Sequence, residues 1–269
     1  VIFNEITDRF FGNGYVNFIA NIGSDMNLKI KYQLGTDSYT TDFQDIFEYG
    51  HAGNDGIIDN YSVTSFNVNS LLTANYEWRI NGNMNLALMV GNEFDQNNRK
   101  TFSEHGESFN FGGWAHIRNA KIVTANESRD KYRTVGFFGN LSMDWKSMVF
   151  LNVTGRNDIV SSMPTNNRGF FYPSVSMSFL ASEMNALKDL EWLSFAKLRF
   201  SYAEVGQAGS YTPNYYNTPN YSGGWWLGIP IQYPINGVNS YIPNNTQYDP
   251  NLKPQNTRSY ETGADLRFF

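Results

Sequence analysis

The amino-acid sequence predicts an all-β fold, an antiparallel up-and-down transmembrane β-barrel to which this chain contributes a partial barrel. Three observations support this prediction. Apolar and polar residues alternate with period two along much of the chain, no window sustains the period of an amphipathic helix, and short connections alternate with long ones. About nine strands can be counted, or ten if residues 2–10 form one.

The clearest alternation occupies residues 64–79. Most alternate residues from Phe66 to Trp78 are apolar or aromatic, and the residues between them are mostly polar. An Asn81-Gly82 turn signal follows, and the alternation then resumes, which predicts a long hairpin with one apolar side. Further alternating segments occupy residues 134–153, 174–179, 197–202 and 259–268.

The connections between these segments fall into two length classes. Transmembrane barrels place short turns on the periplasmic side and long loops outside, whereas soluble sandwiches distribute loop lengths over both ends. The sequence predicts short periplasmic connections near residues 23–26, 80–83, 146–147 and 182–193, and long outer loops near residues 40–63, 96–130, 159–169 and 207–256.

The length of the alternating segments also fits a membrane. Twelve residue steps separate Phe66 from Trp78, which at about 3.3 Å per residue and a tilt near 40° span roughly 30 Å. We therefore expect the apolar face to meet lipid; the alternative is that it fills the core of a soluble sandwich. The polar face is predicted to line the lumen through Asn67, Asn75, Glu77, Ser176, Arg199 and Glu261.

The composition excludes several classes of function. Cysteine is absent, which excludes disulfides and thiolate sites, and with only three histidines we expect no His-rich metal centre. A net charge of −5 predicts no nucleic-acid partner. Apolar runs are too short for a membrane-spanning helix. No catalytic or nucleotide-binding motif is found, so we predict no enzyme activity, no cofactor and no metal site.

Three stretches carry motifs of one known family. They occupy residues 150–183, 193–209 and 251–269. The last reads NLKPQNTRSYETGADLRFF, with Lys-Pro followed by Ser-x-Glu-x-Gly and an aromatic-rich strand. In their order and spacing these stretches resemble the SusC/RagA type of TonB-dependent outer-membrane transporters. They cover about a third of the chain, and the resemblance places it in the middle-to-late part of the barrel.

The resemblance implies a barrel of about 22 strands, plugged by an N-terminal domain and energised through TonB. The chain ends within a strand pattern and shows neither plug nor TonB box, so we expect a segment of a larger protein. The implied function is import of a glycan or oligopeptide across the outer membrane of a Gram-negative bacterium, with a SusD-type surface lipoprotein as partner. Two alternatives stay open, a passive channel or adhesin barrel and a soluble carbohydrate-binding β protein.

Two groups of residues are candidates for contact with a transported ligand. Arg156 and Asp158 lie one pleat apart on the predicted lumen face, just before a long loop, where they form either a wall ion pair or a contact to substrate or plug. The loop at 207–256 is rich in aromatic residues and poor in charge, and aromatic rings can stack on sugars or grip peptides. The candidates there are Tyr215, Tyr216, Tyr221, Trp225 and Trp226.

Overall fold

The computed structural model describes residues 1–50, 55–188, 190–210, 222–226, 229–238, 240 and 248–269. These residues form one antiparallel sheet of nine strands and a separate pair of short strands. The strands are β1 (Ile2–Ile22), β2 (Met26–Phe47), β3 (Ile57–Asn81), β4 (Met84–Phe109), β5 (Ala120–Trp145), β6 (Val149–Val160), β7 (Gly169–Leu180), β8 (Leu193–Gln207), β9 (Ser222–Trp226), β10 (Ile229–Gln232) and β11 (Gln255–Phe268).

The sheet is an up-and-down meander. Its order is β1-β2-β3-β4-β5-β6-β7-β8-β11, so each strand pairs with its sequence neighbour except that β8 pairs with β11, because β9 and β10 form a separate pair between them in sequence. Within the described residues, helical structure is limited to three single turns of 3-10 helix, at Ile117–Asn119, Thr165–Asn167 and Ala181–Glu183. No helix in the described ranges has the length and apolar character needed to cross a membrane. The predicted all-β, antiparallel partial barrel is confirmed.

The register of the sheet separates its two faces cleanly. One cross-strand row is apolar on eight successive strands: Ile22, Met26, Trp78, Leu86, Met143, Leu151, Met177 and Phe200. The neighbouring row, one residue along each strand, points to the other face and is polar except for one alanine. It consists of Asn21, Asn27, Glu77, Ala87, Ser142, Asn152, Ser176, Ser201 and Glu261.

No second layer covers the apolar face in the described part of the chain. Leu88 and Phe137 leave 41% and 52% of their surface exposed, values that a sandwich core would not give. The buried hydrophobic cluster is small and lies at the far end of the long strands, where Ile46, Ile58 and Phe109 pack together beneath Ile117 of the β4–β5 loop. The arrangement argues against the soluble sandwich.

Two connections are much shorter than predicted. Most of residues 40–63 and 96–130, predicted as long loops, is strand, and the connections themselves are residues 48–56 and 110–119. Both faces of these extensions carry polar side chains, so the apolar alternation that marks a half-buried strand disappears there. Backbone pairing and cross-strand polar bonds, such as Gln44 to Asn60 and Asn60 to Glu104, still hold the strands together.

Candidate functional site

A concave pocket lies at the end of the sheet that carries the short turns. Its volume is about 1170 Å³, and polar side chains from the strands β1 to β8 and β11 surround it. Four of the six residues predicted to face the lumen line this pocket: Glu77, Ser176, Arg199 and Glu261. These residues are far apart in sequence, but the strand register places them near one level of the sheet.

Two charged residues of this pocket are loosely paired with residues beside it. Glu77 lies 3.6 Å from Lys29, and Arg199 lies 3.3 Å from Asp265. About half of each of these side chains is exposed, and such ion pairs contribute little to stability because water screens them. The charged and amide groups of the pocket can therefore change partners with little loss of free energy. This property suits a surface that contacts another domain or a passing solute.

The other two predicted lumen residues lie on the same face but outside this pocket. Asn75 is one step further along, between Lys29 of β2 and Met89 of β4. Asn67 is higher on β3, where its amide donates to a carboxylate oxygen of Asp95 at 3.3 Å. All six residues thus share one face of the sheet, the face opposite the apolar rows.

Arg156 and Asp158 form a network that the sequence did not show in full. Arg156 Nε lies 2.8 Å from Asp158 Oδ1, and Arg156 Nη2 lies 2.6 Å from Glu93 Oε2 on β4. The hydroxyl of Tyr172 on β7 donates to the other oxygen of Asp158. Asp158 is buried. The network links β4, β6 and β7 across the inner face of β5.

Glycine makes the space for this network. Gly136 stands on β5 between Glu93 and Asp158, and a Cβ there would lie 2.6 Å from Asp158 Oδ1 and 2.7 Å from Arg156 Nη2. Gly91 similarly leaves room for the ring of Phe138, and the Arg156 guanidinium lies 5.6 Å from the centre of that ring. Because each polar group is engaged within the wall, the geometry favours a structural ion pair over an open ligand site.

A second pocket lies on the same face of the long strand extensions. Its volume is about 510 Å³, and its wall includes Phe43, Asp59, Tyr61, Ser103 and His105. His105 Nδ1 lies 2.7 Å from Asp59 Oδ1, and this hydrogen bond raises the pKa of His105. The sequence pattern did not indicate this pocket, because residues 40–63 and 96–130 were predicted to be loops and are mostly strand.

The aromatic candidates of 207–256 are only partly reached by the structure. Tyr215, Tyr216 and Tyr221 lie outside the described residues. Trp225 and Trp226 belong to β9, which pairs with β10 in a short antiparallel ribbon. Among the described residues, no group of three or more His, Asp or Glu side chains is arranged to hold a metal ion.

The sheet and its polar face can be compared with known proteins. The family model "TonB dependent receptor-like, beta-barrel" matches residues 3–269. The chain belongs to this family. The resemblance to the SusC/RagA type is confirmed by its relatives, since the TonB-dependent receptor SusC of Bacteroides thetaiotaomicron is 26% identical over 186 residues. That match covers 67% of this chain and 17% of SusC.

Other matches agree in fold and extent. The TonB-dependent receptor P26 of Formosa agariphila is 26% identical over 224 residues, or 78% of this chain and 21% of P26. The solved RagAB peptide importer in its closed-closed state superposes over 100% of this chain and 29% of its own, with a TM-score of 0.79 and 17% identity. In the open-open state the TM-score is 0.78. The chain thus spans about a fifth of the curated relatives' length.

Proposed function

We propose that this chain is part of the barrel wall of a receptor that imports a nutrient across the outer membrane of a Gram-negative bacterium in a TonB-dependent manner. One observation carries the proposal. A row of apolar side chains on eight strands lies beside a row of polar side chains on the opposite face, and no second layer covers the apolar row in the described residues. Membership of the TonB-dependent receptor family supports it.

In this proposal the wall performs no chemistry. The polar face, including Glu77, Ser176, Arg199 and Glu261, lines the route and contacts a plug domain outside this chain. Energy comes from the inner membrane through TonB acting on that plug. The loosely paired side chains of the large pocket can exchange a contact to the plug for a contact to solute without leaving a buried charge unpaired.

The ligand class we propose is a glycan or an oligopeptide, captured with a SusD-type surface lipoprotein. The matched RagAB structures, which are of a peptide importer, support the oligopeptide, and the resemblance to the SusC/RagA type is the basis for including the glycan. Polar inner side chains and outer aromatic residues suit either ligand, since sugars and peptides both present hydrogen-bonding groups beside apolar surfaces.

The experiment that tests the function is an uptake assay in the parent bacterium. The complete receptor gene is deleted and restored, and uptake of labelled oligosaccharide and oligopeptide mixtures is compared with and without TonB. We expect the restored receptor gene to recover uptake of one of the two mixtures, and to do so only in cells that contain TonB. Restored uptake that is equal without TonB would indicate a passive channel, and recovery of the receptor in the detergent-free soluble fraction would favour a soluble binding protein.

Trp225 and Trp226 are the ligand-contact residues that we propose to replace first. The double change W225A/W226A removes two large aromatic surfaces from an outer segment with little charge. We expect at least a tenfold loss of ligand affinity, since stacking and burial of two aromatic side chains account for several kcal/mol. Binding of labelled ligand to whole cells is the measurement.

The matched control for this double variant is Y248F, which removes one hydroxyl from the same outer segment and keeps its ring. Both variants are compared at equal surface abundance. Unchanged binding by the folded double variant would exclude Trp225 and Trp226 as ligand contacts, without affecting the test of TonB dependence.

A further inference from the structure

The outward face of the sheet changes character at one level. Along β5 the residues Met143, Leu141, Phe137 and Val135 point to the apolar side, and the next residues on that side are Arg133, Lys131 and Arg129. Across the strand pair, β4 changes in the same way, from Phe94 to Gln96, Asn98 and Lys100. The sequence thus passes abruptly from an apolar band to a basic patch formed by Lys100, Arg129, Lys131 and Arg133.

The position of this patch matches a membrane surface. Twelve residue steps along β5 separate Trp145, beside a short turn, from Arg133. At about 3.3 Å per residue and a tilt near 40° they span roughly 30 Å, the thickness of a hydrocarbon core. Because the long strand extensions lie beyond Arg133, the patch is at the outer end of the band.

The basic patch is not neutralised by its own neighbours. Glu127 is its one acidic member, at 3.2 Å from Lys100 and 2.7 Å from Arg129. Arg133 donates to the side-chain oxygen of Gln96 at 2.7 Å and lies 5.8 Å from the centre of the Phe94 ring. Within the described residues Lys131 has no ion-pair partner. Four cations and one carboxylate leave the patch with an excess of three positive charges.

We infer that the basic patch binds the phosphate groups of the outer-leaflet glycolipid. This glycolipid is phosphorylated lipid A, whose headgroup lies at the membrane surface beside the patch. Arginine and lysine are suited to phosphate, and basic side chains next to an apolar band bind anionic headgroups while the acyl chains cover the apolar residues. Phe94 and Val135 supply that apolar contact directly below Arg133. The placement at the membrane surface rests on the proposed outer-membrane function.

The test measures lipid binding on the complete receptor purified in a neutral detergent. Diphosphoryl lipid A is titrated against the wild-type receptor and the triple variant R129Q/K131Q/R133Q, with retained lipid counted by native mass spectrometry. We expect the triple variant to bind at least tenfold more weakly, because each basic residue near an anionic surface contributes severalfold to affinity. The single variant E127Q, which removes the one carboxylate, is expected to bind about threefold more tightly.

The control variant K29Q/K31Q/R99Q removes the same charge from the opposite face of the sheet, where it leaves binding unchanged if the inference is right. Lipid A without its phosphates is expected to bind wild type as weakly as the triple variant binds diphosphoryl lipid A. Three results would overturn the inference. They are a loss of lipid A affinity in the control variant equal to that in the triple variant, equal binding of phosphorylated and dephosphorylated lipid A by wild type, and displacement of lipid A by equimolar inorganic phosphate. The lipid-binding assay contains no transport step, so its result does not depend on the uptake assay. TonB-independent uptake would contradict the proposed function but would not change the measured lipid binding.

Discussion

Replacement of Arg156 with methionine is expected to destabilise the folded barrel by about 3 kcal/mol. Arg156 forms ion pairs with two carboxylates, Glu93 and Asp158, and Asp158 is buried. Removing the shared cation leaves the carboxylates of Glu93 on β4 and Asp158 on β6 without an ion-pair partner, which costs about 3–5 kcal/mol in a buried setting. We expect the lower end of that range because the Arg156 side chain is 32% exposed.

The measurement is the urea dependence of unfolding of the complete receptor in lipid vesicles. The folded fraction is read from the electrophoretic mobility of unheated samples, because a folded barrel migrates differently from the heat-unfolded chain. K29M is the matched control, since it removes a cation of the same face whose ion pair with Glu77 is long and half exposed, and we expect it to cost less than about 1 kcal/mol. Equal midpoints for R156M and K29M would show that the network contributes no more than a surface ion pair.

The same variant separates the two interpretations of Arg156 and Asp158. A structural ion pair predicts that R156M lowers the amount of folded receptor while uptake per folded molecule stays constant. Contact with substrate or plug predicts the reverse, a stable receptor with lower uptake per molecule. Uptake normalised to folded receptor at the cell surface distinguishes them. The engagement of Tyr172 and Glu93 with the pair leads us to expect the structural outcome.

The extent to which sequence predicted this structure depends on where a strand meets an apolar environment. Between Phe66 and Trp78 one face of β3 is apolar, so period-two alternation marked the strand and its orientation correctly. Further out on the same strand, Asn60 and Ser62 share a face with no apolar band, and the pattern vanished although the backbone pairing continued. The strand extensions were therefore assigned to loops.

The candidate site residues could be predicted from sequence where the only question was which face of the sheet a residue occupies. Glu77 and Glu261 were placed on the polar face by counting residues, and both line the large pocket. The second partner of Arg156 was not found, because Glu93 is 63 residues away in sequence and only the cross-strand register brings the two side chains to 2.6 Å. Gly136, whose missing side chain makes the space for them, carries no signal in the sequence.

An arginine at position 90 is expected to prevent or strongly weaken assembly, whereas an arginine at position 89 is tolerated. Val90 lies on the apolar face, between Ala74 and Gly139 and half exposed, midway between Met84 and Gln96 along β4. A charge on the lipid face near the bilayer centre costs about 2–4 kcal/mol. Met89 points to the polar face, between Asn75 and Asn140, where the new guanidinium keeps water and amide partners.

This pair of variants tests which face meets lipid, because the two positions are adjacent on one strand and receive the same charge. V90R and M89R are introduced into the complete receptor, and the folded fraction in vesicles is measured across a urea series. We expect a loss of about 2–4 kcal/mol for V90R and less than about 1 kcal/mol for M89R. A larger loss for M89R would mean that the apolar rows face protein and the polar rows face outward, and the proposed import function would fall with them.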